Sequence, residues 1–348
     1  MSVQRGVLHR ALRSVTRSLG SIVIRMIVRI GQTATGSRIL ALLFSRFART
    51  AEGSNACLRL GFLPMSVDYY SPVPDLADLE QRKIWDRRSR LAGIAFRPDS
   101  QMTLLAELGR QFGLECDWPA HPTGTGGLFY TENNSFGYGC AAGTHTIIRR
   151  FKPRRVIEIG SGYSSRVIAG ALSLNVADSN QSADYTVIDP YPAAGLQAEA
   201  PAITRLLRHR VELLDADFFD QLTENDVLFI DSGHTVRIGG DVNFLILDVL
   251  PRLAPGVVVH FHDIALPYEY PKRYATNPSF RMFWTEAYLL QAFLALNPDY
   301  EILLALDYLM TEQKDAFRSA FPHYDPTRHV ATSGSFWIRR KHANHVQA

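Results

Sequence analysis

Histidine and carboxylate side chains cluster at two places in the second half of the chain. His234 follows Asp231 by three residues after the apolar run DVLFI, and the run VVVHFHD contains His260, His262 and Asp263. These residue types supply general bases and ligands for divalent cations. If both runs are strands of one parallel sheet, Asp231, His234, His262 and Asp263 converge at its carboxyl edge, where open α/β sheets bind their ligands.

A glycine-bearing turn offers a second kind of chemistry, the binding of a ligand by the backbone. In the segment VIEIGSGYSS (156–165), an apolar run bearing Glu158 passes into Gly160, Ser161 and Gly162 and then into a predicted helix. Glycines let the backbone approach a ligand closely and adopt turn conformations that a side chain opposes. The pattern GxG after a strand is also typical of a tight turn without a ligand, so the surrounding motifs decide.

The motifs that follow this turn favour a nucleoside ligand. Roughly 27 residues after Gly162, the run YTVID ends in Asp189, whose carboxylate can accept hydrogen bonds from both hydroxyl groups of a ribose. A third run, RVELLDAD, is predicted as a strand that ends in Asp215 and Asp217. The turn has neither the GxGxxG spacing nor a GK[ST] sequence for phosphates, and Glu158 lies beside it. S-adenosylmethionine, which carries a sulfonium and no phosphate, is therefore favoured over NAD, which stays the alternative.

The elements that must position these residues follow from the hydrophobic pattern. From residue 151 onward, short β-rich runs alternate with segments long enough for helices, which predicts an α/β, Rossmann-like fold with a doubly wound, mainly parallel sheet of about seven strands. We expect this domain at 151–340, followed by a tail at 341–348. An N-terminal helical and loop-rich extension precedes it, and its part at 51–150 contains a predicted helix at 101–112 and a predicted irregular loop at 123–143.

These motifs resemble a known family. The segment VIEIGSGYSS, together with DVLFIDSGHTVRIGGDVNFLILDVLPRLAPGVVVHFHDIALPYEYP, is similar to a bacterial family of class I S-adenosylmethionine-dependent methyltransferases related to the metal-dependent small-molecule O-methyltransferases. The resemblance extends to YYSPVPD near Tyr69 and to FWTEAYLLQAFL at Phe283, about four-fifths of the chain. It implies transfer of a methyl group to a small-molecule acceptor, such as a hydroxyl of a sugar or a secondary metabolite.

The resemblance also implies roles for individual residues. The methionine part of the cofactor is lined by Glu158, Gly160, Ser161 and Gly162, the ribose by Asp189, and the adenine edge by Asp217 with Phe218, although Asp215 competes with Asp217. In the related metal-dependent enzymes, an Asp after the fourth strand and an acidic pair after the fifth hold a divalent cation. Asp231 and Asp263 match that pattern, and His262 stands where the first acid of the pair is expected.

The chemistry at the second site stays open between three interpretations. A metal held by Asp231, His262 and Asp263 would favour manganese, iron or zinc over magnesium, which prefers all-oxygen ligation. A metal-free enzyme would use His234 or His262 as the general base, with Asp231 as a further catalytic residue. In the third interpretation these polar residues have a structural role only.

Three other segments carry alternative interpretations. Asp241 either begins a helix, where the dipole favours an acid, or lies near the pocket. The segment from Pro267 to Pro271 forms either a substrate lid or ordinary loop packing, and the same alternative applies to Trp284 and Glu286 at the start of the next helix. For the whole protein, a non-catalytic scaffold and a hydroxylase-like relative remain alternatives, and retention of both the glycine turn and the acid-bearing strand ends argues against the scaffold.

Composition narrows the partners and the compartment. The chain is 46% hydrophobic and 20% charged, and its three cysteines lack CxxC spacing, which predicts a globular protein of the reducing cytoplasm without a disulfide framework. Outside the first 50 residues acidic residues outnumber basic ones, which argues against a nucleic-acid-binding surface. A homo-oligomer is left open.

The segment 1–50 differs from the rest because it contains nine arginines and no acidic residue. Apolar residues recur at helical spacing, which predicts a basic amphipathic helix: Leu8, Leu12, Val15, Leu19, Ile22 and Met26. This helix packs on protein, binds peripherally to a membrane, or serves as a targeting segment. Arg25 and Arg29 interrupt the apolar run and argue against a transmembrane span.

Overall fold

The structure is a computed structural model that describes residues 23–123 and 129–342. The chain divides into two compact units, 1–75 and 76–348. This boundary differs from the divisions near residues 50 and 150 that the hydrophobic pattern suggested. The tail at 343–348 and most of the predicted basic helix lie outside the described residues.

The described part of the N-terminal unit is helical. Residues 23–31 form helix, and two further helices follow, α1 (Ala34–Ala48) and α2 (Ala51–Arg59). Threonines cap both of these helices: the hydroxyl oxygens of Thr33 and Thr50 accept hydrogen bonds from backbone N–H groups in the first turns. Among the described residues, no helix is both long and apolar enough to cross a membrane.

The second unit is built around a seven-stranded sheet. Its strands are β1 (Arg155–Ile159), β2 (Asp184–Ile188), β3 (Arg205–Leu207), β4 (Val227–Ile230), β5 (Val258–Phe261), β6 (Tyr300–Ala305) and β7 (Phe336–Arg340). The strand order is β3-β2-β1-β4-β5-β7-β6, and β7 runs antiparallel to both of its neighbours while the first five strands are parallel. The predicted Rossmann-like fold with about seven mainly parallel strands is confirmed.

Helices cover the sheet. They are α3 (Leu76–Gln81), α4 (Pro98–Phe112), α5 (Tyr138–Phe151), α6 (Tyr163–Ser179), α7 (Leu196–Glu199), α8 (Asp241–Asn243), α9 (Lys272–Thr276), α10 (Glu286–Leu294), α11 (Leu306–Glu312) and α12 (Lys314–Ala320). A π-helical segment, Phe244–Val249, continues α8, and single 3₁₀ turns occur at Ile84–Asp86, Gly113–Glu115, Val211–Leu213, Ala216–Gln221 and Leu250–Arg252. The strands read as continuous apolar runs because helices bury both faces of the sheet.

Two sequence predictions about elements are wrong. The run RVELLDAD is not a strand: β3 lies upstream, where Arg205 pairs with Thr186 and Leu207 with Ile188, and Val211–Leu213 forms a 3₁₀ turn. The predicted loop at 123–143 ends earlier, because α5 begins at Tyr138. Helix α5 contains glycines and threonines of low helix propensity, but nearly all of its residues are buried, and tertiary packing overrides propensity. The predicted helix at 101–112 is confirmed by α4.

Candidate active site

The carboxyl ends of the four central strands are level with one another. Ile159 at the end of β1 pairs with Ile188 of β2 and with Ile230 of β4, and Ile230 pairs in turn with Phe261 of β5. The residues that follow each strand therefore emerge along a single edge of the sheet. This edge carries Gly160, Asp189, Asp231 and, two residues beyond β5, Asp263.

The β1 turn and the end of β2 form one hydrogen-bonded unit. The Ser161 hydroxyl donates to Asp189 Oδ2 at 2.5 Å, and the Gly160 N–H donates to the Ile188 carbonyl at 3.0 Å. The other carboxylate oxygen of Asp189 accepts the Tyr191 N–H at 2.7 Å. The structure thus brings together Ser161, Gly160 and Asp189, which the sequence placed around one ligand, and it fixes the direction of the Asp189 carboxylate.

Glu158 lies behind this unit and faces the protein interior. Its carboxylate is fully buried and accepts hydrogen bonds from Ser164 at 2.6 Å, Ser165 at 2.8 Å and Tyr185 at 2.5 Å. Burial raises the pKa of Glu158 to about 7, and the three hydroxyl donors offset part of that effect. The Glu158 carboxylate therefore braces the start of α6, and its expected contact with a ligand stays a prediction.

The residues expected at an adenine edge follow β3 at a distance. Asp217 is exposed and Phe218 is half-buried, and both lie in the 3₁₀ helix Ala216–Gln221. The Arg205 guanidinium lies 5.8 Å from the centre of the Phe218 ring. Asp215 is exposed as well, so the choice between Asp215 and Asp217 stays a prediction.

Three of the predicted polar residues meet after β4 and β5. His234 Nε2 lies 3.3 Å from Asp231 Oδ1 and 3.7 Å from Asp263 Oδ2, and one ligand atom from each residue lies within 4.8 Å of the other two. We call Asp231, His234 and Asp263 the carboxylate–imidazole cluster. Two carboxylates and one imidazole are a donor set that fits a divalent transition metal. His262, which the sequence placed in this set, is outside it, and His234 takes its place.

The position of His234 depends on a loop held from several sides. His234 adopts a left-handed conformation, with φ of 54°. Its carbonyl accepts the N–H groups of Thr285 and Glu286, at 2.9 and 3.2 Å, and the preceding Gly233 N–H donates to the Asp241 carboxylate at 2.6 Å. Asp241 is the first residue of α8, so the interpretation as a helix N-terminal acid is confirmed, and the same side chain also pins the loop of His234.

Glu286 orients the His234 ring. Its carboxylate accepts the Nδ1–H of His234 at 2.7 Å, is almost completely buried, and also accepts the Ser232 hydroxyl at 3.2 Å. Burial acts to lower the pKa of His234, but the hydrogen bonds to Asp231 and Glu286 outweigh it and raise that pKa to about 10. The raised pKa favours the protonated form of the His234 ring, which must lose its Nε2 proton before that nitrogen can bind a metal or act as a base.

His262 and His260 occupy different surroundings, although they lie on the same face of β5. The His262 ring stacks on Phe136 with centroids 5.1 Å apart, and its Nδ1 has no hydrogen-bond partner among the described residues. His260 is fully buried, stacks on Phe229 and bonds to the Ser335 hydroxyl at 2.8 Å. Nδ1 of His260 also lacks a partner among the described residues, so what distinguishes His262 is that it lines a cavity, whereas His260 belongs to the core.

A cavity of about 740 Å³ opens beside the cluster. Asp263 and His262 form one part of its wall, and its other lining residues include many charged and aromatic side chains: Trp85, Glu132, Tyr268, Glu269, Arg273, Tyr274, Asp307, Arg328 and His329. Burial raises the pKa of Asp307 to about 6, and the Arg273 guanidinium lies 5.1 Å from the Tyr274 ring centre. The volume is that of a site for a small molecule.

The segment from Pro267 to Pro271 forms a packed part of this wall. The Tyr268 hydroxyl donates to Glu312 at 2.6 Å, and the buried Tyr270 hydroxyl accepts the Ala287 N–H at 2.9 Å. These bonds attach the segment to the end of α11 and to the start of α10. They favour loop packing over a substrate lid.

Glu286 is the functional residue that the sequence analysis did not recognise. It was noted only as a residue at the start of the helix in FWTEAYLLQAFL. It lies 52 residues from His234 in the chain, and no spacing rule connects the two. The signal that could have identified it is a glutamate within an otherwise apolar helix, since α10 buries that face completely.

Comparisons with known proteins agree with this architecture. Residues 157–264 match the family model described as "Methyltransferase domain", a stretch that begins within β1 and ends just after Asp263. The chain is also 29% identical over 164 residues to an uncharacterized protein of Archaeoglobus fulgidus. This aligned stretch covers 45% of this chain and 72% of that protein. The matched stretch lies within the second unit and spans β1 to β5, the parallel part of the sheet.

Proposed function

We propose that the protein transfers a methyl group from S-adenosylmethionine to a hydroxyl group of a small molecule, a sugar or a secondary metabolite. The observation that carries the proposal is the arrangement along one sheet edge. The Ser161–Asp189 unit follows β1 and β2, and the carboxylate–imidazole cluster follows β4 and β5. A nucleoside-binding half and a reacting half therefore adjoin, as transfer between two bound molecules requires.

Residues after β1 and β2 would bind the cofactor. The fixed carboxylate of Asp189 suits a ribose diol, which offers two hydroxyl donors. Gly160 and Gly162 let the turn approach the ligand closely. When bound, S-adenosylmethionine supplies a methyl group on a sulfonium centre. Glu158 supports the turn from behind by accepting hydrogen bonds from Ser164 and Ser165 at the start of α6.

Asp231, His234 and Asp263 would hold a divalent metal ion. A bound cation would lower the pKa of the acceptor hydroxyl and so favour its attack on the methyl group. Glu286 accepts the Nδ1–H of His234 and thereby directs Nε2 toward the two carboxylates, an arrangement typical of metal-bound histidine. One imidazole among the ligands favours manganese, iron or zinc over magnesium. The cluster has one histidine and two carboxylates, so it is not the two-histidine set of non-haem hydroxylases.

A metal-free mechanism is the second candidate, and His262 is the observation that favours it. His262 lines the cavity and its buried Nδ1 lacks a partner among the described residues, so this nitrogen would be the general base that accepts the proton of an acceptor hydroxyl. In this mechanism the carboxylate–imidazole cluster would only shape the loop after β4.

Metal dependence separates the two candidates. The full chain, treated with a chelator, would be titrated with Mn²⁺, Zn²⁺ and Mg²⁺ by calorimetry, and formation of S-adenosylhomocysteine would be followed with a panel of polyhydroxylated and phenolic acceptors. We expect Mn²⁺ or Zn²⁺ to bind more tightly than Mg²⁺ and to restore turnover.

Two substitutions sharpen this test. Asp231→Asn should lower metal affinity at least about a hundredfold, since it removes a charged ligand, while the exposed Asp248→Asn control leaves it unchanged. Turnover indifferent to chelation, together with its loss in His262→Gln, would replace the metal mechanism by the histidine base. No product with any acceptor and no cofactor binding would contradict the proposed function itself.

A further inference from the structure

Exposed apolar side chains are concentrated in the N-terminal unit. Among the described residues, 19 of the 31 exposed large hydrophobic side chains lie between residues 23 and 70. Scattered single residues of this kind are normal, but a concentration of them marks a surface that binds something apolar. These residues belong to the N-terminal unit, whereas the sheet edge described above belongs to the second unit.

Helix α1 shows how the apolar surface is organised. Its exposed apolar residues, Ile39, Leu42, Leu43, Phe44 and Phe47, recur at three- and four-residue spacing and share one broad face. Arg38 borders this face, Arg46 lies among its apolar residues, and the first turn contains no acidic residue. The helix is therefore amphipathic, with arginines at and within its apolar face.

The neighbouring segments extend the same surface. Val23, Ile24, Met26 and Ile27 are exposed in the helix at 23–31. After α2, the Phe62 ring stacks on Phe44 with centroids 6.1 Å apart, and Leu63, Met65 and Val67 are exposed beyond it. Tyr69 and Tyr70 follow with more than 90% of their surface exposed. Amphipathic rings of this kind favour the boundary between water and lipid.

The charge of the neighbouring residues indicates which partner binds this surface. Between residues 23 and 70 the chain contains six arginines and two acidic residues, Glu52 and Asp68, so the apolar residues stand in a surrounding with net positive charge. A second copy of the chain would bring the same positive charge against it, which opposes association. An anionic bilayer offers both an apolar interior for the leucines and negative headgroups for the arginines.

We propose that the N-terminal unit binds the surface of an anionic membrane through α1 and the segments around it. The apolar face enters the boundary between headgroups and acyl chains, and the arginines at and within this face contact the headgroups. The helix α1 has 15 residues and does not cross the bilayer. The contact would hold the second unit near the membrane and its substrates.

Sedimentation with vesicles tests the proposal on the full chain. Vesicles of phosphatidylcholine with phosphatidylglycerol are compared with vesicles of phosphatidylcholine alone, at low and high salt. We expect the protein to sediment with the anionic vesicles only and to be released by salt. Arg38→Gln with Arg46→Gln should weaken binding about 25-fold, or about fivefold for each arginine.

Apolar variants test the other half of the contact. Leu42→Ser with Leu43→Ser should lower affinity about tenfold or more, whereas a matched pair in the second unit, Leu114→Ser with Leu247→Ser, should leave it unchanged. Circular dichroism checks that each variant retains its helix content.

Absence of sedimentation, or equal sedimentation with neutral and anionic vesicles, would overturn the proposal. So would an oligomer that Leu42→Ser with Leu43→Ser dissociates while vesicle binding is absent, because the apolar face would then contact a second copy.

Discussion

The acidic residues in the two halves of the sheet edge differ in burial and in hydrogen bonding. In β1, the carboxylate of Glu158 is fully buried, and three hydroxyl groups of the protein donate to it. After β4 and β5, Asp231 and Asp263 keep 33% and 23% of their side-chain surface exposed and approach a single imidazole at 3.3 and 3.7 Å. An acid at a strand end can thus serve as an internal brace or as part of a binding site, and only its hydrogen-bond partners distinguish the two.

The largest effect should come from the glycine turn that joins the two halves. Gly160 has φ of +81°, and a Cβ atom there would lie 2.3 Å from the Asp231 carbonyl oxygen. We expect Gly160→Ala to lower the free energy of unfolding by about 4 kcal/mol, from backbone strain and the clash together, and to displace Asp231. Denaturant unfolding monitored by circular dichroism measures this.

Gly162→Ala is the matched control for that substitution. An added Cβ at Gly162 would meet nothing within 4 Å, and its φ of 163° is extended backbone. The free energy of unfolding should change by less than about 1 kcal/mol, while the added methyl group narrows the space in front of the turn. Equal destabilisation by both substitutions would show that the turn is not locked to β4 as described.

A smaller effect on the free energy of unfolding is expected from Glu158, which braces the glycine turn from behind. Glu158 has a pKa of about 7 in the folded protein, raised by burial from 4.5. A raised pKa means that the folded state binds the proton more tightly, so the stability of the wild type falls as the pH rises from 4.5 to 7. Glu158→Gln removes this titration and should be more stable than the wild type at pH 8 by up to about 3 kcal/mol.

The pH profile provides the check on Glu158. The difference in free energy of unfolding between Glu158→Gln and the wild type should grow between pH 4.5 and 7 and stay constant above pH 7. Tyr185→Phe removes one of the three donors that lower the pKa of Glu158, so the upper end of this pH window should move to higher pH. A difference that does not depend on pH would mean that the carboxylate is not buried as observed.

The smallest expected effect concerns Glu286, which contacts His234 and touches no substrate. Glu286→Gln keeps the shape of the side chain but weakens the hydrogen bond that it accepts from the Nδ1–H of His234. The affinity for Mn²⁺ should therefore fall about tenfold to a hundredfold. Glu269→Gln is the control, because Glu269 lines the cavity and accepts hydrogen bonds from Tyr288 and Tyr270 instead. If both variants bind Mn²⁺ like the wild type, Glu286 does not position His234 for a metal.

The fold could be predicted from the sequence because parallel strands leave a strong signal. Buried runs such as VIEIGSG and DVLFID are mostly apolar and alternate with helices, which permits few topologies. The third strand was missed because β3 has only three residues, and its weak pattern was outweighed by the longer apolar run that forms the next 3₁₀ turn. Helix α5 was missed because its stability comes from burial and not from propensity.

The site could be predicted only in part, for a different physical reason. Strand ends place Asp189, Asp231 and Asp263 at the correct edge without any knowledge of side-chain contacts. His234 and not His262 joins the carboxylate–imidazole cluster because the backbone at His234 is left-handed and Glu286, from a distant helix, binds its ring. Such choices are made by tertiary contacts, and residue spacing does not encode them.

Cofactor binding tests the central claim most directly. Isothermal titration of the full chain with S-adenosylmethionine should be compared for the wild type, Asp189→Ala and Asp184→Asn, which lies at the opposite end of the same strand. We expect measurable binding by the wild type and by Asp184→Asn, and an affinity lower by about tenfold to a hundredfold in Asp189→Ala, which loses a charged acceptor for the ribose hydroxyls. Absence of binding by the folded wild type, or unchanged affinity in Asp189→Ala, would contradict the account.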